Sequence, residues 1–393
     1  MLLRAAHRIL ETGLRLERRL EPWFRPTLNR FSREPTAKGI QFLKNLGRKD
    51  LGLGLAEEKH FEWEDQALQD IIDLMRKQMM GHFLPGAFER GGNTKTHGLV
   101  RATVTVKAGL PEHLRKGIFA TERSYPAYIR FAGPGPDVPK DIHDVGFGSM
   151  SIKLMDVPGP KLMDDERFTQ DMPAVSTVTF VTPNTKVNAK LQYWSLIDEP
   201  IWYFLDPRDP HVLDFLMQGL WNETQYNPLG QRYYSCVPYL LGEGQAMLYS
   251  FMPLTKVERR IPGLPFGPVP EHYLRDNMAK TLNEKDVAFD LLVQVQTDAH
   301  RMPIEDASIR WPESLSPWVP VARIDIPKQT FNTAAQMSFA RNIKINPWHS
   351  IPEHRPLGNQ SRARRRMYAE LAALRQEMNL VEHVEPTGNE VFA

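Results

Sequence analysis

Cys236 is the only cysteine in this 393-residue chain. An internal disulfide framework is therefore excluded, and the count suits a reducing compartment, so a cytoplasmic location is expected. Its neighbourhood, SCVPYLLG, reads as core rather than as a reactive thiol. An excess of either charge is also missing: 49 Lys and Arg stand against 47 Asp and Glu, which gives no reason to expect nucleic acid as a partner. No apolar run is long enough to span a bilayer or to form the core of a signal peptide. The 12 histidines are scattered without zinc-ligand spacing. GxSxG, Walker and GxGxxG segments are absent, and no internal repeat is visible. What remains is a mixed globular composition, 41% hydrophobic and 24% charged, long enough for one large domain or two ordinary ones.

Proline is abundant. Its 32 copies, many within 126–139 and 252–274, predict long ordered loops between the regular elements. Strands are expected over 99–106, 151–155 and 177–181. The clearest alternation is DVAFDLLVQVQ over 286–296, where Val287, Phe289, Leu291, Val293 and Val295 share one face. Residues 61–80 have a helical pattern. The aromatic-rich stretch 193–221 reads as helices and loops covering the rest. Residues 1–50 form a basic amphipathic arm in which Pro22 and Pro26 bracket a Trp-Phe-Arg break. Such a helix can lie on an anionic membrane surface, but packing on its own protein or on a dimer partner is the favoured expectation. Glu11, Glu17 and Glu21 argue against a transit peptide.

Two segments carry chemistry. In SRARRRMYAELAALR, residues 361–375, Arg364, Tyr368 and Arg375 fall along one stripe of a 3.6-residue helix. A guanidinium beside a phenol favours phenolate, and tyrosinate is a haem iron ligand. Far upstream, GGNTKTHGLVRATVTV (91–106) sets His97 directly before a strand. YIRFAGPGPDVPKDIHDVGFGSMSIKL (128–154) follows with an Arg-Phe pair and a Gly-Phe segment.

This order of motifs resembles the haem catalase superfamily, over roughly residues 80–380. The resemblance implies an α+β fold: a catalase-like antiparallel β-barrel core with surrounding helices and long Pro-rich loops. One haem domain would occupy 51–393, behind the arm. It implies haem b with Tyr368 as the proximal ligand and metal contact, Arg364 holding it ionised, and Arg130 and Arg375 on the propionates. Phe147 would line the cofactor pocket, and His97 would exchange protons with a bound peroxide. Three departures stand out. Val175 takes the place of the family's distal amide, Ala132 that of a Ser, and Thr94 that of an Arg three residues before the distal His. Thr96 before His97 is similar to catalase-related allene oxide synthases. With Val175 in place, the pocket is expected to be apolar and to prefer an alkyl hydroperoxide over hydrogen peroxide. The implied function is a haem-dependent enzyme of peroxidase or peroxygenase type acting on organic or lipid hydroperoxides. The alternatives are a catalase and a haem-binding protein without turnover. A homo-oligomer is expected.

Overall fold

The structure, a computed structural model, describes residues 2–392, with side chains from Thr12 onward. The amphipathic pattern of residues 1–11 lies outside the described side chains. Nine strands follow in chain order: β1 (Thr96–Val106), β2 (Ser124–Ala132), β3 (Ser149–Leu154), β4 (Gln170–Val175), β5 (Tyr233–Tyr234), β6 (Tyr239–Leu240), β7 (Ala246–Pro253), β8 (Val287–Val295) and β9 (Val319–Ile326). All pairings are antiparallel. The order β4-β3-β2-β1-β9-β8-β7 is closed by β5, which bridges β4 and β7, so eight strands form a barrel and β6 extends one edge of β7.

Period-two side chains fill this barrel. Val287, Phe289, Leu291 and Val293 of β8 are at most 1% exposed, and they meet Ile129 and Phe131 of β2 and Met150, Ile152 and Leu154 of β3 in one cluster. Each such side chain contributes about 1.5–3 kcal/mol by leaving water. The alternate residues, Arg130 of β2, Ser151 of β3, and Pro173 and Val175 of β4, therefore stand on the outer face. Gly98 is required where β1 enters the barrel. A Cβ there would lie 2.3 Å from both Met278 and Phe331, and the register slips between Thr96 and Gly98.

The strand expected over 177–181 is corrected. Residues 176–179 are bends, and the strand is β4, which starts seven residues earlier and ends at Val175. Pro173 lies within it. β4 pairs along its length with β3 but touches β5 only through Val175, so a nearly open edge tolerates the missing N–H.

Eight helices wrap the barrel: α1 (Leu2–Gly47), α2 (Glu64–His82), α3 (Thr185–Leu196), α4 (Ile201–Leu205), α5 (Val212–Trp221), α6 (Tyr273–Glu284), α7 (Ala334–Asn342) and α8 (Asn359–Asn379). None is long and apolar enough to cross a membrane, among the described residues. The break expected at Pro22 and Pro26 does not occur, because α1 runs through both and through Pro35. Pro22 leaves the carbonyl of Arg18 without its helical donor, and the Thr224 hydroxyl donates to that carbonyl instead, at 2.7 Å. The arm is docked on the body of the protein. Arg18 donates to Asn222 (3.0 Å), Arg19 to the Pro265 carbonyl (2.8 Å) and Arg25 to the Gly219 carbonyl, while Glu21 accepts from the Thr224 N–H (2.6 Å).

A buried ionic cluster ties β3 and β4 to the segment entering α8. Lys153 pairs with Glu166 and with Asp171 (2.8 Å), and His349 lies 2.9 Å from Asp171 and 3.1 Å from Glu166. Glu166, Asp171 and His349 are spaced as metal donors are. The Lys153 ammonium already bridges the two carboxylates, so the cluster is a salt-bridge network with its cation built in.

Candidate active site

A cavity of about 1130 Å³ lies between the outer face of the barrel and helices α2, α3 and α8, with α1, α4 and α5 forming its outer end. Pockets for one small molecule are typically about 300–1,000 Å³, so this one has room for a cofactor and a second ligand. Arg130, Ser151, Pro173 and Val175 come from the barrel wall, and Arg364, Tyr368 and Arg375 from α8. The 3.6-residue period places Arg364 and Tyr368 on one side of α8 and carries the stripe on to Arg375. Tyr368 is half-buried, packed against the cluster of Ile71, Ile72 and Met75 from α2. Arg364 stacks over Phe180 at 5.1 Å. Burial disfavours its guanidinium, but Tyr368, Tyr239 and Tyr249 around it raise its pKa above the ordinary value.

Three guanidiniums gather at one place on this cavity: Arg90, Arg130 and Arg375, each at most 9% exposed. Among the described residues, none of them forms an ion pair. Arg130 donates to the carbonyls of Ala340 (3.1 Å), Asn93 (2.8 Å) and Thr94 (3.2 Å) and to the Thr96 hydroxyl (2.6 Å). Arg90 donates to the carbonyls of Ile343 and Arg341, and Arg375 to that of Asn342 at 3.2 Å. The Nε atoms of Arg90 and Arg375 are buried without a partner. Burial first, then mutual repulsion, drives the pKa of Arg130 and Arg375 well below the ordinary value, and burial takes Arg90 down to about 10. Buried cations without counterions are costly, and the arrangement is one that an anionic ligand with two or more acceptors would complete.

The sequence-derived site residues divide sharply. Tyr368, Arg364, Arg375, Arg130, Phe147 and Val175 all line the cavity. His97 and Thr96 do not. His97 sits where the register of β1 slips, 3% exposed, with Nδ1 3.8 Å from Asp141. Its carbonyl accepts from Arg275 (3.1 Å), and Lys95, two residues earlier, pairs with the same Asp141 at 2.6 Å. Burial, then Lys95 and Arg275, drive its pKa well below the usual imidazole value, so it is neutral. The structure thus places His97 off the cavity that Tyr368 and Arg130 line. His97 and Lys95 both lie beside Asp141, which does not line this wall. Thr96 does not line the cavity, and its hydroxyl accepts from Arg130.

Sequence reasoning missed Arg90 and Asn93, which do line the cavity. Thr94 is not a lost arginine. Its hydroxyl donates to the Arg90 carbonyl at 2.9 Å, and Arg90 itself supplies the third guanidinium. Arg90 stands three residues before Asn93. Asp144 was also missed. It lines the cavity, and burial, opposed by the Val145 N–H and Lys95, raises its carboxyl to about 7. Cys236 lines the cavity too, with its thiol on the Thr177 carbonyl (2.9 Å) and pushed up to about 12 by burial.

No protein-family model matches the chain, and no curated protein does. Solved structures do match. A fungal catalase superposes on 88% of this chain and 70% of its own length, with a TM-score of 0.58 at 13% identity. Catalase A from Saccharomyces cerevisiae covers 84% and 68%, with a TM-score of 0.55 at 12% identity. A bacterial catalase covers 88% and 70%, with a TM-score of 0.50 at 13% identity. The fold is catalase-like, an α+β structure around a closed eight-stranded antiparallel barrel.

Proposed function

We propose that the cavity binds haem b and that the protein is a catalase-related haem protein handling organic hydroperoxides. The observation that carries this reading is the cluster of three buried, carboxylate-free guanidiniums on the same cavity as a tyrosine and its adjacent arginine. Haem carries two carboxylates on one edge and an iron that accepts phenolate oxygen, so each feature meets a complementary group. Arg90, Arg130 and Arg375 would hold the propionates by charge-assisted hydrogen bonds, each worth about 1.5–3 kcal/mol. Tyr368 would ligate the iron, and Arg364 would favour its phenolate form. When bound, haem would supply the redox chemistry that opens a peroxide bond.

The rest of the cavity supports an organic rather than a small polar substrate. Leu191, Ile201, Phe204 and Phe215 line its outer part, and Val175 and Pro173 its barrel wall. Burying an alkyl chain there is favourable at about 25 cal/mol per Å². A second reading, a haem-binding protein without turnover, is favoured by one observation: His97 does not line the cavity, and the histidine that does, His143, comes from the loop between β2 and β3 and not from the barrel wall. Decomposition of hydrogen peroxide suits the lining less well. The test begins with Tyr368→Phe. Wild type should purify or reconstitute with haem in a high-spin ferric, phenolate-type spectrum, and the variant should lose the haem or the spectrum. Full haem and an unchanged spectrum in Tyr368→Phe would remove the proximal assignment. Consumption of cumene hydroperoxide by the loaded wild type, compared with oxygen release from hydrogen peroxide, then separates the readings.

A further inference from the structure

We infer that Asn93 is the side chain that meets a ligand on the barrel side of the haem, where it orients the ligand by hydrogen bonding and does not act as a proton-transferring base. This rests on the haem reading above and specifies one wall of that site. Three observations carry it. Asn93 lines the cavity and is half-buried, whereas His97 does not line it: its Nδ1 lies 3.8 Å from Asp141, and its backbone carbonyl accepts from Arg275. The backbone at residue 93 is in the left-handed region, φ +50°, which Asn tolerates and most residues avoid. That conformation is fixed from both sides, since the Asn93 N–H donates to the Pro134 carbonyl (3.2 Å) and its carbonyl accepts from Arg130 (2.8 Å). Finally, the Asn93 side-chain amide makes no hydrogen bond with any described residue, so its donors and its acceptor remain for a ligand.

The chemical consequence is specific. Heterolysis of a hydroperoxide moves a proton from one peroxide oxygen to the leaving one, and a positioned base typically contributes about 10²–10⁴ in rate. An amide can donate to one oxygen and accept from a hydroxyl but does not carry the proton across. Asn93 is therefore an orienting group, and a histidine substituted at 93 would introduce the missing function without straining the backbone, because His is also enriched at positive φ.

The experiment uses the full-length, haem-loaded protein with cyanide and fluoride as probes. Hydrogen cyanide at pH 7 must give up its proton as the anion binds iron, so its association rate reports a base beside the ligand. Asn93→His should raise that rate at least tenfold, while His97→Gln should leave it within twofold of wild type. Fluoride needs a hydrogen-bond donor. Asn93→Gly keeps the positive φ but loses the amide, so it should bind fluoride about tenfold more weakly with its haem content intact. The inference is overturned if His97→Gln slows cyanide tenfold or more, or if Asn93→Gly binds fluoride as wild type does. Those two arms decide the matter even if Asn93→His fails to fold. Absence of haem from every form, wild type included, would instead refute the haem reading itself.

Discussion

Replacing Arg375 with methionine should make the empty protein more stable and the loaded protein weaker at holding its ligand. Arg375 is the least anchored of the three clustered guanidiniums. It has one hydrogen bond, to the Asn342 carbonyl at 3.2 Å, a buried Nε without a partner, and an exposure of only 2%. Its pKa is driven well below the ordinary arginine value by burial and then by Arg90 and Arg130. Exchanging a buried ion for an apolar side chain of similar length stabilises known proteins by about 1–4 kcal/mol, provided no partner charge is left behind. The nearby Glu89 stays paired with Arg341, and what remains are two cations relieved of repulsion from the third. The loaded protein loses a charge-assisted hydrogen bond worth about 1.5–3 kcal/mol. At 1.4 kcal/mol per decade this is a drop in haem affinity of roughly 10- to 150-fold. Thermal unfolding of the haem-free forms gives the first quantity, and haem transfer to apomyoglobin gives the second. A haem-free Arg375→Met protein that melts well below wild type would show that the guanidinium is a structural strut and not an anion receptor. Unchanged haem retention would refute the second half independently.

The other predictions concern the frame around the site. His349 is buried, which disfavours imidazolium, but hydrogen bonds to Asp165, Asp171 and Glu166 prevail and raise its pKa to about 10 from 6.5. A raised pKa adds stability that is complete below the unfolded value and lost as pH climbs through the folded one. The unfolding free energy should therefore fall between pH 6.5 and 10, by at most about 5 kcal/mol, and His349→Asn should flatten that limb. Thr224→Val should leave the Arg18 carbonyl of α1 without a donor and cost about 1 kcal/mol, read as faster proteolysis within the arm at unchanged haem content. An equal rate of cleavage would mean that the arm's other bonds suffice.

Much of the fold was legible because the barrel writes itself as alternation. The faces of β8 and of the strand after His97 were readable from single residues, and the stripe of Arg364, Tyr368 and Arg375 on α8 follows from helix geometry alone. Two things were hidden for physical reasons. A proline disguised β4, since the rule that excludes Pro from central strands does not hold where one edge is nearly open. On the barrel wall, a histidine in front of a strand drew the assignment to residue 97. The sequence does not display the register slip after Thr96 or the left-handed turn at Asn93, which together send residue 93 into the cavity and residue 97 away from it. A polar side chain is chemically conspicuous wherever it stands, but only the backbone decides which way it faces. The packing of α1 on the body was the favoured expectation, but its continuity through Pro22 was not, since a proline breaks a helix only until another side chain, here Thr224, takes up the freed carbonyl.

Arg130 faces the anion receptor and also holds the carbonyls of Asn93 and Thr94 and the hydroxyl of Thr96. One side chain thus belongs to two equilibria. An anion that draws the guanidinium toward itself changes the restraint on the turn that presents Asn93, and a ligand that tightens the turn changes the guanidinium's freedom to meet the anion. Linkage makes the exchange reciprocal. Whatever factor a ligand at Asn93 would add to retention of an anion bound at this cluster, that anion would have to add to the affinity for the ligand, and replacing Arg130 would set both factors toward one.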